Sequence, residues 1–118
     1  MSEDDVKSRT KRFALDVIAL VANLPNTATG RAIGGQLVRY GTSVGANYRA
    51  ACKGRSKAEF IAKLGIVEEE ADESAYWMEL LVEGRLLTAQ RVAPLLREAN
   101  EPTAIAAASR RTAMRNRS

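Results

Sequence analysis

Apolar residues recur along this chain at helical spacing, and no segment alternates as a strand requires. In the first segment, residues 4–24, Val6, Phe13, Val17, Leu20, Val21 and Leu24 fall on one side at helical spacing. Asp4 and Asp5 suit a helix N-terminus, and "LPN" at 24–26 stops the pattern because proline cannot continue the hydrogen-bond ladder. A second helix is expected over 29–53, with Ile33, Leu37, Tyr40, Val44, Tyr48 and Ala51 on one face. A third, over 57–83, carries Phe60, Leu64, Val67, Ala71, Ser74, Met78, Leu81 and Val82 as its core stripe. After a break at Gly84, Thr88 caps a fourth helix over 89–114, with Leu95, Leu96, Ala99, Thr103 and Ala106 inside. Pro102 is expected to kink it, by removing one amide and crowding an earlier carbonyl. Four helices with short connections predict an all-α fold, an antiparallel up-down four-helix bundle spanning 1–118 as one domain.

Two features of the pattern add detail. Gly30, Gly34, Gly41, Gly45 and Cys52 lie along one edge of the second helix's apolar face. An interior helical glycine costs about 0.5–1 kcal/mol relative to alanine. A stripe of them therefore predicts close approach by another helix, the alternative being a locally weak or kinked helix. Gly54 sits where a left-handed C-terminal cap belongs, and "SKAE" follows as a capping box, in which the Glu59 carboxylate returns to the Ser56 amide. On the third helix, Ala62, Ile66, Tyr76, Trp77 and Leu80 form a second stripe that shares its surface with Glu69 and Glu73. A bundle helix needs one buried stripe, so a second one holding the only tryptophan predicts contact with another copy. The competing reading is a broader core face.

Composition narrows the chemistry. The chain has 118 residues, 46% of them hydrophobic, and a single cysteine, Cys52, so no intrachain disulfide forms. The acidic start "MSEDDVKSR" is unlike a signal peptide, and the longest apolar stretch, "FALDVIALVANL", contains Asp16 and is too short to span a bilayer. A cytoplasmic protein without a membrane partner is expected. There is no histidine, which removes the commonest general base and the Glu-x-x-His motif of di-iron bundles. "EEEADE" at 68–73 spreads around its helix and reads as a solvated face, while Cys52 reads as a packing residue. No catalytic residue, cofactor or metal site is predicted.

Charge is divided unevenly. Residues 56–83 hold eight acids and two lysines, a local charge of −6 against +4 for the whole chain, leaving +10 elsewhere. The tail, 109–118, holds Arg110, Arg111, Arg115 and Arg117 without an acid. Such a tail suits phosphate contacts, or is simply a solvated helix end. Ser43 and Asn47 flank Tyr40, and Asn47 is expected to reach Glu69 or Glu73 across the turn, with Arg39 and Arg49 offsetting the acidic run.

The segment "QLVRYGTSVGANYRAACKGRSKAEFIAKLGIVEEEADESAYWMELL", 36–81, resembles the central signature of the four-helix-bundle proteins called 23S rRNA intervening-sequence proteins. The likeness extends more weakly from the first helix to "LLREANEPTAIAAASRRTA" at 95–113. Pro102 departs from the family pattern, which usually places an ordinary helix former there. The resemblance implies an antiparallel bundle that assembles as a homopentamer, often a tapered barrel with a central pore. The accessory variability determinant protein of diversity-generating retroelements, which is related to that family, binds nucleic acid and a reverse transcriptase through a basic surface, so nucleic-acid binding is implied only by analogy.

The leading expectation is a non-catalytic oligomer that binds nucleic acid, chiefly structured RNA, with low specificity. Its candidate contacts are Arg9, Lys11 and Arg12 on the first helix, Arg49, Lys53, Arg55 and Lys57 around the turn, and Arg110, Arg111, Arg115 and Arg117. No aromatic interleaves with them, so base stacking is not indicated. The alternative is a scaffold whose acidic and aromatic surfaces bind a basic protein partner.

Overall fold

The computed structural model describes residues 2–116, so Arg117 lies outside the described residues. Within them the chain forms four helices: α1 (Glu3–Val21), α2 (Ala28–Cys52), α3 (Lys57–Glu83) and α4 (Ala89–Arg115). The bundle is slender, 51 × 22 × 20 Å. The most extensive contacts join α2 to α3 and α3 to α4, and among adjacent helices α1 and α4 touch least; α1 and α3 occupy diagonal corners.

Each helix begins on a side chain that accepts an otherwise unpaired amide. Ser2 and Asp5 form a reciprocal capping box at α1, Thr27 accepts from Gly30 at α2, and Thr88 accepts from Arg91 at α4. At α3, Ser56 accepts from the Glu59 amide at 3.1 Å as expected. The Glu59 carboxylate, however, takes the Arg55 amide at 3.2 Å, one residue before the expected Ser56 amide. The end of α1 also falls short of expectation. Pro25 disfavours helical geometry at Leu24, and the chain tightens through Asn23→Leu20 and Leu24→Val21 bonds.

Gly54 does not supply a left-handed cap, since no described glycine has a positive φ. Its small size serves instead: a Cβ there would stand 3.1 Å from the Ala51 carbonyl oxygen and 3.3 Å from the Phe60 nitrogen. The left-handed residue is Arg85, φ 62°, after α3. There the Leu86 amide donates to Leu81 at 2.9 Å and the Arg85 amide to Val82 at 3.0 Å, a Schellman turn without its usual glycine. Nor does α4 stop at proline, running through Pro94 and a buried Pro102 to Arg115.

Phe13, Val17, Leu37, Val44, Leu64, Val67, Met78, Leu81 and Val92 are completely or almost completely buried between the helices. The glycine stripe of α2 meets α1: Gly34 abuts Val21, Gly41 abuts Val17 and Gly45 abuts Thr10, so residue numbers rise along one helix as they fall along the other. Thr10 is buried there without penalty, because its hydroxyl donates to the Val6 carbonyl at 2.8 Å.

Candidate nucleic-acid interface

Close approach at Gly45 leaves a groove between the outer shoulders of α1 and α2, about 420 Å³ in volume. Ala14, Thr42 and Ala46 keep it open, and its charged lining is Lys7, Lys11 and Arg49, with no acid. Two of these, Lys11 and Arg49, are sequence-expected contacts. Lys7 was missed, although it precedes Lys11 by four residues and so shares its side of the helix. Arg49 therefore faces α1, and does not offset the acidic run of α3.

Neighbouring cations extend this surface around one end of the bundle. Lys53, Arg55 and Lys57 are exposed about the α2–α3 turn. The Lys57 ammonium donates to the Asn116 carbonyl at 2.9 Å, which ties that turn to the last turn of α4 with exposed Arg111 and Arg115. Other candidates are engaged inside the chain. The Arg9 guanidinium donates twice to Glu98, at 2.5 and 3.1 Å, and approaches Glu101 at 3.9 Å. Arg110 donates to Glu68 at 2.6 Å. Arg12 lines a larger groove between α1 and α4, about 770 Å³, where Arg9 and Arg91 are balanced by Asp5, Asp16 and Glu98. That groove is electrically mixed and a poorer phosphate site.

The α2–α3 seam differs from expectation. Asn47 donates to Glu70 at 2.6 Å, not to Glu69 or Glu73. Glu70 is turned towards α2, whereas Glu69 and Glu73 point outward and are exposed. Burial pushes the Glu70 carboxyl above the usual range, opposed by the Ser43 hydroxyl and the charge of Arg39. Arg39 also lies over the Tyr40 ring, 5.5 Å from its centre. Burial likewise raises the Cys52 thiol, which disfavours the reactive thiolate.

The second stripe of α3 divides. Ala62 and Tyr76 are exposed, and Ile66 and Leu80 are half-buried. Trp77 packs against the core and edge-on to Tyr76 at 5.4 Å. Its indole nitrogen is buried with no acceptor among the described residues. Two further apolar residues, Leu15 and Ile18, are exposed on α1. They escaped the sequence reading because they fall outside the helix's core stripe. Among the described residues there is no group of three or more metal-ligating side chains, and no helix is long and apolar enough to cross a membrane.

The described residues thus define an all-α four-helix bundle with an exposed group of cations about the α2–α3 turn. The chain belongs to the 23S rRNA-intervening sequence protein family, whose model matches residues 2–108. A similar solved structure is a protein of unknown function from the S23 ribosomal protein family of Bacteroides thetaiotaomicron. It is 32% identical with a TM-score of 0.87, over 94% of this chain and 99% of that one. Comparison with curated proteins finds no match.

Proposed function

We propose that this protein is a non-catalytic, oligomeric binder of nucleic acid that takes the phosphates of structured RNA at its cationic end. The observation that carries the reading is the acid-free groove of Lys7, Lys11 and Arg49, continued by Lys53, Arg55, Lys57, Arg111 and Arg115. A phosphate chain following this surface releases counterions at each contact, so affinity is expected to fall steeply as salt rises. No aromatic ring lines the groove, which favours low sequence specificity. The family's name associates it with rRNA genes. In the antiparallel homopentamer that the resemblance implies, five such ends multiply a weak contact through avidity. The test is a variant with Lys7, Arg49, Lys53 and Lys57 all changed to Gln, against one with Arg31 and Arg91 at the opposite end changed to Gln. RNA binding by the first should weaken with a shallower salt slope, by roughly one unit per lost phosphate contact. Equal binding by wild type and the first variant would remove this end from the function.

A protein-scaffold reading has one observation in its favour, the exposed acids Glu69, Asp72 and Glu73 beside exposed Tyr76. A partner captured through that face would survive nuclease treatment.

A further inference from the structure

We infer that neighbouring copies meet by laying the outer face of α1 from one against the outer face of α3 from the next. This rests on the oligomeric reading above and names its surfaces. Three of the large apolar side chains left exposed are Leu15 (57%) and Ile18 (47%) on α1 and Tyr76 (53%) on α3. These helices stand at diagonal corners, so no fold within one chain covers both faces.

The two faces match in spacing. Lys11, Leu15, Ile18 and Ala22 are all exposed at intervals of four, three and four residues, and Glu69, Glu73, Tyr76 and Leu80 repeat those intervals. That is the spacing of a two-helix seam. They also match in height along the bundle. Thr10 abuts Gly45, and Asn47, two residues further along α2, bonds Glu70. Since α2 runs against both α1 and α3, Lys11 lies at about the level of Glu73. A neighbour moved sideways without sliding brings Lys11 beside Glu73 and sets Leu15 and Ile18 against Tyr76 and Leu80.

Charge selects this pairing over a symmetric one. Two α3 faces would bring Glu69 and Glu73 against their own copies, and two α1 faces would oppose Lys11 and Arg12 to themselves; only the mixed contact is complementary. Because the two patches differ, each copy presents both, and the contact propagates until it closes into a ring. Lys11 then serves this contact, leaving Lys7 and Arg49 to line the groove.

Cross-linking tests the assignment in a Cys52→Ala background. Ile18→Cys and Tyr76→Cys are introduced singly and together, treated with a short bismaleimide, and the mass of the untreated proteins is measured by light scattering. The double variant should give a ladder of linked species up to the size of the ring, and a mixture of the two single variants should stop at dimers. Each single variant alone should stay unlinked. Dimers from either single variant, or an oligomer whose double variant does not link, would overturn these surfaces while leaving self-association intact. A monomeric wild type would overturn the oligomeric reading and this inference together.

Discussion

Gly41→Ala tests whether the glycine stripe exists to bring α2 onto α1. The added Cβ would lie 2.9 Å from both Val17 methyl groups and 3.2 Å from the Val17 Cβ. Ordinary carbon contacts begin at about 3.5 Å, so the overlap is about half an ångström. Val17 is fully buried and β-branched, with about one favoured rotamer in a helix, so it has nowhere to turn. Overpacking of this kind costs about 1–3 kcal/mol, and the better helix propensity of alanine returns about 0.5–1 kcal/mol. The net expectation is destabilisation by up to about 2.5 kcal/mol. Gly35, on the same helix, meets nothing within 4 Å. Gly35→Ala should therefore stabilise, by about 0.5–1 kcal/mol. Urea unfolding followed by helical circular dichroism, at one fixed protein concentration, measures both. Adding Val17→Ala to Gly41→Ala should relieve the clash but open space elsewhere, recovering only part of the loss. If Gly41→Ala stabilised as much as Gly35→Ala, the close-approach argument would be wrong.

Two other substitutions have signs fixed by local geometry. Arg85→Gly should stabilise by about 1 kcal/mol, because Arg85 holds a left-handed conformation that only glycine adopts without strain; a lower unfolding midpoint would contradict this. Glu70→Gln removes a carboxylate whose ionisation burial opposes. Since its folded pKa is raised, the glutamate's favourable contribution is complete below its unfolded value of about 4.3 and is lost as pH rises through the folded value. The variant should match or exceed wild type near neutral pH, with that advantage disappearing in acid; a clear loss of stability near neutral pH would show that the Asn47 bond needs the charge.

The helices were legible because their buried positions recur at one period and their starts carry Ser, Thr and acidic signals. The glycine edge of α2 was legible for the same reason, since residues with no side chain to pack are informative only as a stripe. What the pattern could not show was rotation about each helix axis to within one residue. That is why Asn47 was assigned to Glu69 or Glu73 when Glu70 faces it. Pairing between distant segments was equally hidden. Nothing near Arg9 or Arg110 in the chain announces Glu98 or Glu68, and in the sequence those two arginines look as available for phosphate as Lys11 and Arg49. Gly54 shows a third limit: a tight carbonyl contact and a left-handed turn leave the same residue in the sequence.

The most direct measurement is binding of the purified protein to a structured RNA and a matched duplex DNA, at low and near-physiological salt, with mass determined by light scattering in the same buffers. The account predicts an oligomer that binds both, with affinity falling steeply as salt rises. An oligomer that binds neither even at low salt would contradict it, and would turn the search to protein partners.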